Sequence, residues 1–184
     1  PRPHTFTEWN SAPRQLGATV KFRTELSPDP IQPMLEIQDE VLILGSCFAE
    51  NMGNKLKDGG ISVQINPLGI QYNPLSMEKN LRYFAGLDQF NPNEIFEHAG
   101  RFRHWDVHSR LCGTSKQETV EMVEMAMGKA RRLLQKTTWV YLTLGTAHVW
   151  FHDNRPVANC HKVPNNQFER KRLSSVECLA ALNR

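Results

Sequence analysis

The apolar run Val41-Leu42-Ile43-Leu44 passes directly into Gly45-Ser46-Cys47-Phe48-Ala49, and this junction constrains the chain more than any other stretch. Four consecutive apolar residues read as a strand buried on both faces, as a parallel sheet requires. The segment Phe48 to Leu56 has helical character, and Gly59-Gly60 end it. A strand that turns through glycine into a helix sets a hydroxyl or a thiol at the carboxyl edge of a sheet. It also places that group at the positive helix end, where an anionic nucleophile is stabilised. The pattern points to a hydrolytic or acyl-transfer site and leaves open whether Ser46 or Cys47 attacks.

The flanking segments extend the same architecture. Residues 1–40 carry Pro3, Pro13, Pro28, Pro30 and Pro33 and read as an extended arm, with at most a short strand around Val20 to Phe22. Residues 41–184 read as the folded domain. Ile61 to Ile65 alternates as a second strand, closed by Asn66-Pro67-Leu68-Gly69. Pro74 suits an early helix position, with Leu75, Met77, Leu81 and Phe84 forming an apolar stripe through Ala85. Asn91 to Cys112 is aromatic and His-rich, without a clear period. Ser115-x-x-Glu118 reads as a capping box opening a long helix to about Gln135, with Val120, Val123, Met127, Ala130 and Leu134 on one face. Trp139 to Leu144 is another buried-type strand, ending in Gly145-Thr146-Ala147. A hairpin around Asp153-Asn154 and a helix from about Ser174 follow. Strand and helix in this alternation give an α/β protein with a parallel sheet, whose ligands sit beyond the strands' carboxyl ends. Gly45-Ser46-Cys47, Asn66 to Gly69 and Gly145-Thr146-Ala147 all fall there.

Composition removes several classes of function. A net charge of +3 over 184 residues is too small to argue for a nucleic-acid partner. The runs Lys129 to Arg132 and Glu169 to Arg172 are expected to be solvated helix faces. No apolar stretch reaches the roughly 20 residues that cross a bilayer, so no membrane partner is expected. Pro1-Arg2-Pro3-His4 lacks both a starting Met and an apolar signal core, which reads as a processed chain or a fragment. Cys47, Cys112, Cys160 and Cys178 are widely spaced; reduced thiols and a cytoplasmic location are the expectation.

Five ordered motifs together resemble the GSCFA family: Gly45 to Asn51, Asn66 to Pro74, His104-Trp105-Asp106-x-His108-Ser109, Leu144 to Ala147, and Val157 to Pro164. The resemblance covers nearly everything from Phe22 onward. It implies kinship with the SGNH (GDSL-like) hydrolases and hence a flavodoxin-like three-layer α/β/α fold with a mostly parallel sheet. Such enzymes use a serine nucleophile, a histidine base and an oxyanion hole, with no cofactor. On the ungapped match Cys47 takes the nucleophile position and Ser46 replaces an Asp; a shift of one residue makes Ser46 the nucleophile. Gly69 matches the second-block glycine, whose amide faces the oxyanion. Gly145 matches the third block, but Ala147 stands where an Asn donor is expected, and His148 is the candidate substitute. No Asp-x-x-His follows Gly145, so the fold is expected to be incomplete at its C-terminus and the base to lie beyond Arg184. The implied substrate is a small-molecule or carbohydrate ester. The competing expectation is a ligand-binding module without turnover on the same scaffold.

Each candidate also has a plain structural role available. Ser46 can be a helix N-cap, Cys47 a small buried residue, and Gly69 a turn glycine. His104, His108 and Cys112, spaced four and four, are residue types that suit zinc. Trp105, Ser109 and Gly113 argue against the helix that would align them, so no metal is expected. The expectation is a polar network in which Asp106 orients His104 or His108 along the cleft. Asn159 and His161 are further polar candidates at a strand end, with His161 a stand-in base if folding brings it to Cys47.

Overall fold

A computed structural model describes residues 26–27, 29–30 and 32–184. In it the apolar run becomes β1 (Glu40–Gly45), the central strand of a parallel sheet. Its neighbours are β2 (Ser62–Ile65) and β5 (Trp139–Thr143), in the order β2-β1-β5. Val41, Leu42 and Ile43 are fully buried, each worth roughly 1.5–3 kcal/mol against exposure. Their alternation divides two cores. Val41 and Ile43 pack with Ala49, Met52 and Leu56 of α1 (Cys47–Asp58). Leu42 and Leu44 pack with Met77 and Phe84 of α2 (Pro74–Ala85) and with Val123, Met127 and Ala130 of α3 (Lys116–Leu134).

Between α2 and α3 lies a small hairpin, β3 (Phe96–His98) with β4 (Arg101–Arg103). Beyond the parallel sheet, β6 (His148–His152) pairs antiparallel with β7 (Arg155–Val157) and β8 (Glu169–Arg172), and α4 (Ser175–Leu182) follows. The described residues thus form a mixed α/β fold with four α-helices and a three-stranded parallel sheet. Leu35–Arg184 forms one compact unit. The strand expected around Val20 to Phe22 lies outside the described residues.

Helix ends follow the sequence signals closely. Asn73 caps α2 ahead of Pro74, and Gly86 closes it in the left-handed conformation at φ +76°. Ser115 accepts from the Glu118 N–H, but the Glu118 carboxylate turns to Thr114 N and Oγ1 instead of back to the cap, so the expected box is half made. The 153–154 turn has both residues at positive φ, as a two-residue hairpin demands.

Two expectations are corrected. Burial on both faces is the expectation for Trp139 to Leu144, yet among the described residues β5 pairs with β1 alone, and Val140 and the following Leu144 are 43% and 46% exposed. Glu169 to Arg172 forms a strand, not a helix face: alternate carbonyls and amides pair with β6 while all four side chains stay in solvent.

Candidate functional site

Three strand-end segments meet at the carboxyl edge of the parallel sheet. The Gly45 N–H donates to Asn66 Oδ1 at 2.8 Å, and Gly45 O accepts from the Gln71 N–H at 3.0 Å. From the other side, the Ser46 N–H reaches Thr143 Oγ1 at 3.4 Å, and the Gly145 and Thr146 N–H groups both donate to Tyr72 O. Gly45 has to be glycine here. A Cβ would overlap Thr143 Oγ1 and approach Thr143 O to 2.7 Å.

At the turn itself Ser46 is the N-cap of α1, and its Oγ accepts the Phe48 N–H at 3.2 Å. Cys47 is the first helical residue and its free thiol is exposed. The two residues that the sequence leaves equivalent therefore differ: one side chain is committed to the helix end and the other faces solvent.

Gly69 sits at φ +93° with its N–H donating to Asn66 O at 2.8 Å. A Cβ on it would overlap Cβ of His108, whose own N–H donates to Leu68 O. His108 is thus the histidine that the fold brings to this corner. Its Nδ1 accepts the Arg110 N–H at 3.3 Å, and burial, followed by the Arg110 charge, pushes its pKa down. The neutral ring therefore carries its proton on Nε2. Arg110 clamps the corner from outside, with Nη1 2.8 Å from Glu50 Oε1 and Nη2 on Asn66 O.

Asp106, His104, Asn159 and His161 belong to a second cluster, deeper in the unit. Asp106 Oδ2 accepts from Tyr83 Oη at 2.6 Å and from Arg155 Nη2 at 3.1 Å, and Arg155 Nη1 pairs with Glu94. His104, fully buried, accepts the Asp106 N–H on Nδ1 at 3.2 Å, so Nε2 carries the proton and faces Glu94 Oε2 at a long 3.5 Å. Asp106 orients His104 through its main chain; its carboxylate serves Tyr83 and Arg155.

His161, at φ +51°, is fixed by Asn159 Oδ1, lies 2.8 Å from His104 O through Nε2, and has Cys112 Sγ 3.9 Å from Nδ1. Burial lowers the pKa of His104 and brings that of His161 down to about 4; burial raises the Cys112 thiol. A neutral imidazole against a neutral thiol is a packing contact, not an activated pair. His148 begins β6, its N–H on Thr146 Oγ1 at 3.0 Å. Among the described residues no three His, Cys, Asp or Glu side chains are grouped to hold a metal ion.

A cavity of about 270 Å³ opens beside this second cluster, lined by Ser76, Lys79, Asp106, Phe151, Arg155 and Pro156 among others, and not by Ser46 or Cys47. Two of its cations are paired, Arg155 with Asp106 and Glu94, and Lys79 with Asp88; Arg184 also lines it. His104 Nε2 in this cluster is buried without a hydrogen-bond partner among the described residues, and so are Asn66 Nδ2 and Gln71 Oε1 on the segment after β2. Sequence reasoning passed over Asn66 and Gln71, along with Tyr83, Glu94 and Arg155; an Asn before Pro at a strand end was the one local signal.

The sequence model of one family, described as the GSCFA family, matches residues 40–184. No curated protein and no solved structure matches the chain. No helix among the described residues is long and apolar enough to cross a membrane.

Proposed function

The chain belongs to the GSCFA family, and from that premise we propose that it is an SGNH-like hydrolase or acyl transferase acting on esters, with Cys47 as nucleophile. One observation carries the reading: an exposed thiol stands at the first position of α1, directly past the central strand, while Ser46 Oγ is occupied as the cap. The division of the β1 side chains between α1 on one side and α2 with α3 on the other supports a three-layer, flavodoxin-like arrangement for residues 41–184. Free cysteines suit a reducing compartment, and we place the protein in the cytoplasm on that ground.

In this reading the Cys47 thiol gives its proton to solvent, and the thiolate sulfur adds to the ester carbonyl carbon. The carbonyl π pair moves to oxygen. Collapse of that oxyanion re-forms the carbonyl and expels the alkoxide, which takes a proton from water. Water, or an acceptor alcohol, then displaces the thiolate from the thioester. The N-terminal amides of α1 face the charge that develops. The implied substrates are small-molecule esters, acylated carbohydrates among them.

A second reading, ligand binding without turnover, is favoured by the Gly69, Gly145 and Thr146 amides being engaged within the protein and by Ala147 at the third block. p-Nitrophenyl acetate separates the two. Hydrolysis with a transient acetyl group on Cys47, lost in Cys47→Ala, supports the hydrolase. Acetylation of Ser46 moves the nucleophile by one residue. Absence of both turnover and adduct leaves the binding module.

A further inference from the structure

We propose that Asn66 supplies the side-chain oxyanion donor that position 147, an alanine, does not. The inference rests on the hydrolase reading above. Asn66 follows β2 directly, at φ +42° and 1% exposed. Its main chain is fully occupied: the N–H donates to Ile43 O, and the carbonyl accepts from the Gly69 N–H and from Arg110. Its Oδ1 accepts the Gly45 N–H at 2.8 Å. That bond fixes the amide orientation, because the flipped form would set two donors against each other. Nδ2 is left with its N–H groups unpaired among the described residues.

The placement gives the unpaired donor its meaning. The oxygen of the same planar amide holds the Gly45 N–H, so Nδ2, two bonds from that oxygen, lies near the carboxyl end of β1 where the Gly45-Ser46-Cys47 turn begins. Holding Gly45 explains Oδ1 and does not explain an empty Nδ2. A buried donor without a partner is rare in native structures, and functional sites are one place where it persists. A donor that is rigidly held, screened from water and unspent in the ground state is the kind that stabilises charge as it develops. Three further amides at this corner are taken: Gly69 by Asn66 O, and Gly145 and Thr146 by Tyr72 O. A left-handed backbone conformation, disfavoured for most side chains but tolerated by Asn, holds the amide in place.

Asn66→Asp is the test, because Asp keeps the shape, tolerates the backbone and still accepts from Gly45 while losing the donor. With p-nitrophenyl acetate, kcat is expected to fall about 10²–10³-fold with KM moved less than about threefold. Iodoacetamide alkylation of Cys47 builds no oxyanion, so its high-pH plateau rate is expected to stay within about threefold. Circular dichroism and a cooperative melt establish that the variant is folded; should it not fold, Asn66→Gly, which suits φ +42°, is read by the same ratio of turnover to alkylation. Turnover within threefold of the parent overturns the role of Asn66 and leaves the hydrolase reading standing. A parent protein with neither turnover nor acyl-Cys47 overturns both.

Discussion

The strand-end corner and the polar cluster beside it are made of opposite materials. Gly45, Ser46, Cys47 and Gly69 are small, are positioned by main-chain hydrogen bonds, and leave a thiol and an amide donor unspent. Tyr83, Asp106, Arg155 and Glu94 are large or charged and spend themselves on one another. Burial raises the Tyr83 hydroxyl pKa, with the Asp106 charge adding to it. Burial alone would raise that of Glu94, but bonds to Arg155 and Asn91 and the Arg155 charge bring it below the usual carboxylate range. Gln71 ties the two regions, its N–H on Gly45 O and its Nε2 on Asp106 O. The charged side chains of the cluster are paired with one another, and the corner keeps an exposed thiol.

The corner is most sensitive at Gly45. Gly45→Ala drives a methyl into Thr143 Oγ1 and toward Thr143 O, and no rotamer of the new side chain relieves it. Urea denaturation is expected to show a loss of about 4 kcal/mol or more. A loss under about 1 kcal/mol would mean that backbone contact does not set the corner.

Acid is expected to weigh on the cluster, which holds His104 and His161, more than on the corner, which holds His108. Burial holds the His161 pKa near 4 against an ordinary 6.5. Between those values the unfolded chain binds a proton that folded His161 refuses, so stability rises with pH across the window. Lowering the pH from 7 to 4 is expected to cost about 3 kcal/mol through this residue; His104 and His108, also lowered by burial, act in the same direction. His161→Asn, which tolerates φ +51°, should flatten the slope in urea titrations at a series of pH values. An unchanged slope would remove His161 from the account.

Asp106→Ala leaves Arg155 without one of its two carboxylates and Tyr83 without its acceptor. The expected loss is about 2–3 kcal/mol, below that of a fully buried pair because Arg155 is 34% exposed. Below the unfolding transition, Cys47 alkylation should stay within about threefold of the parent rate. A larger fall would show that the two regions are coupled through Gln71 and would make the cluster part of the site.

The corner was legible because its signals are local. An apolar run into glycine, Asn-Pro after a strand, and Pro74 behind Asn73 each act on their own neighbours. Distance in sequence hid the rest. The bond from Asn66 Oδ1 to the Gly45 N–H spans 21 residues, and no pattern in either segment announces it. His104, Asp106 and His161 carry the residue types of a catalytic cleft; what sends them inward is the surrounding packing. Phe90 lies against the His104 ring, and Trp105 is stacked between Phe96 and His152. The apolar composition of Trp139 to Leu144 implies burial on both faces, but pairing on the second side depends on a partner that is not local in sequence.

The smallest expected effect bears most directly on the chemistry. Ser46→Ala removes the cap that accepts the Phe48 N–H, at about 1 kcal/mol of stability. If Ser46 only caps, the variant melts slightly lower, alkylates at Cys47 within about threefold of the parent rate, and keeps its hydrolysis of p-nitrophenyl acetate. If Ser46 is the nucleophile, the same variant loses hydrolysis while Cys47→Ala retains it, and the exposed thiol becomes a bystander. A one-residue shift at the strand end is all that separates these outcomes. The cap hydrogen bond favours the first, because an oxygen already accepting from the helix is held back from the carbonyl that it would have to attack.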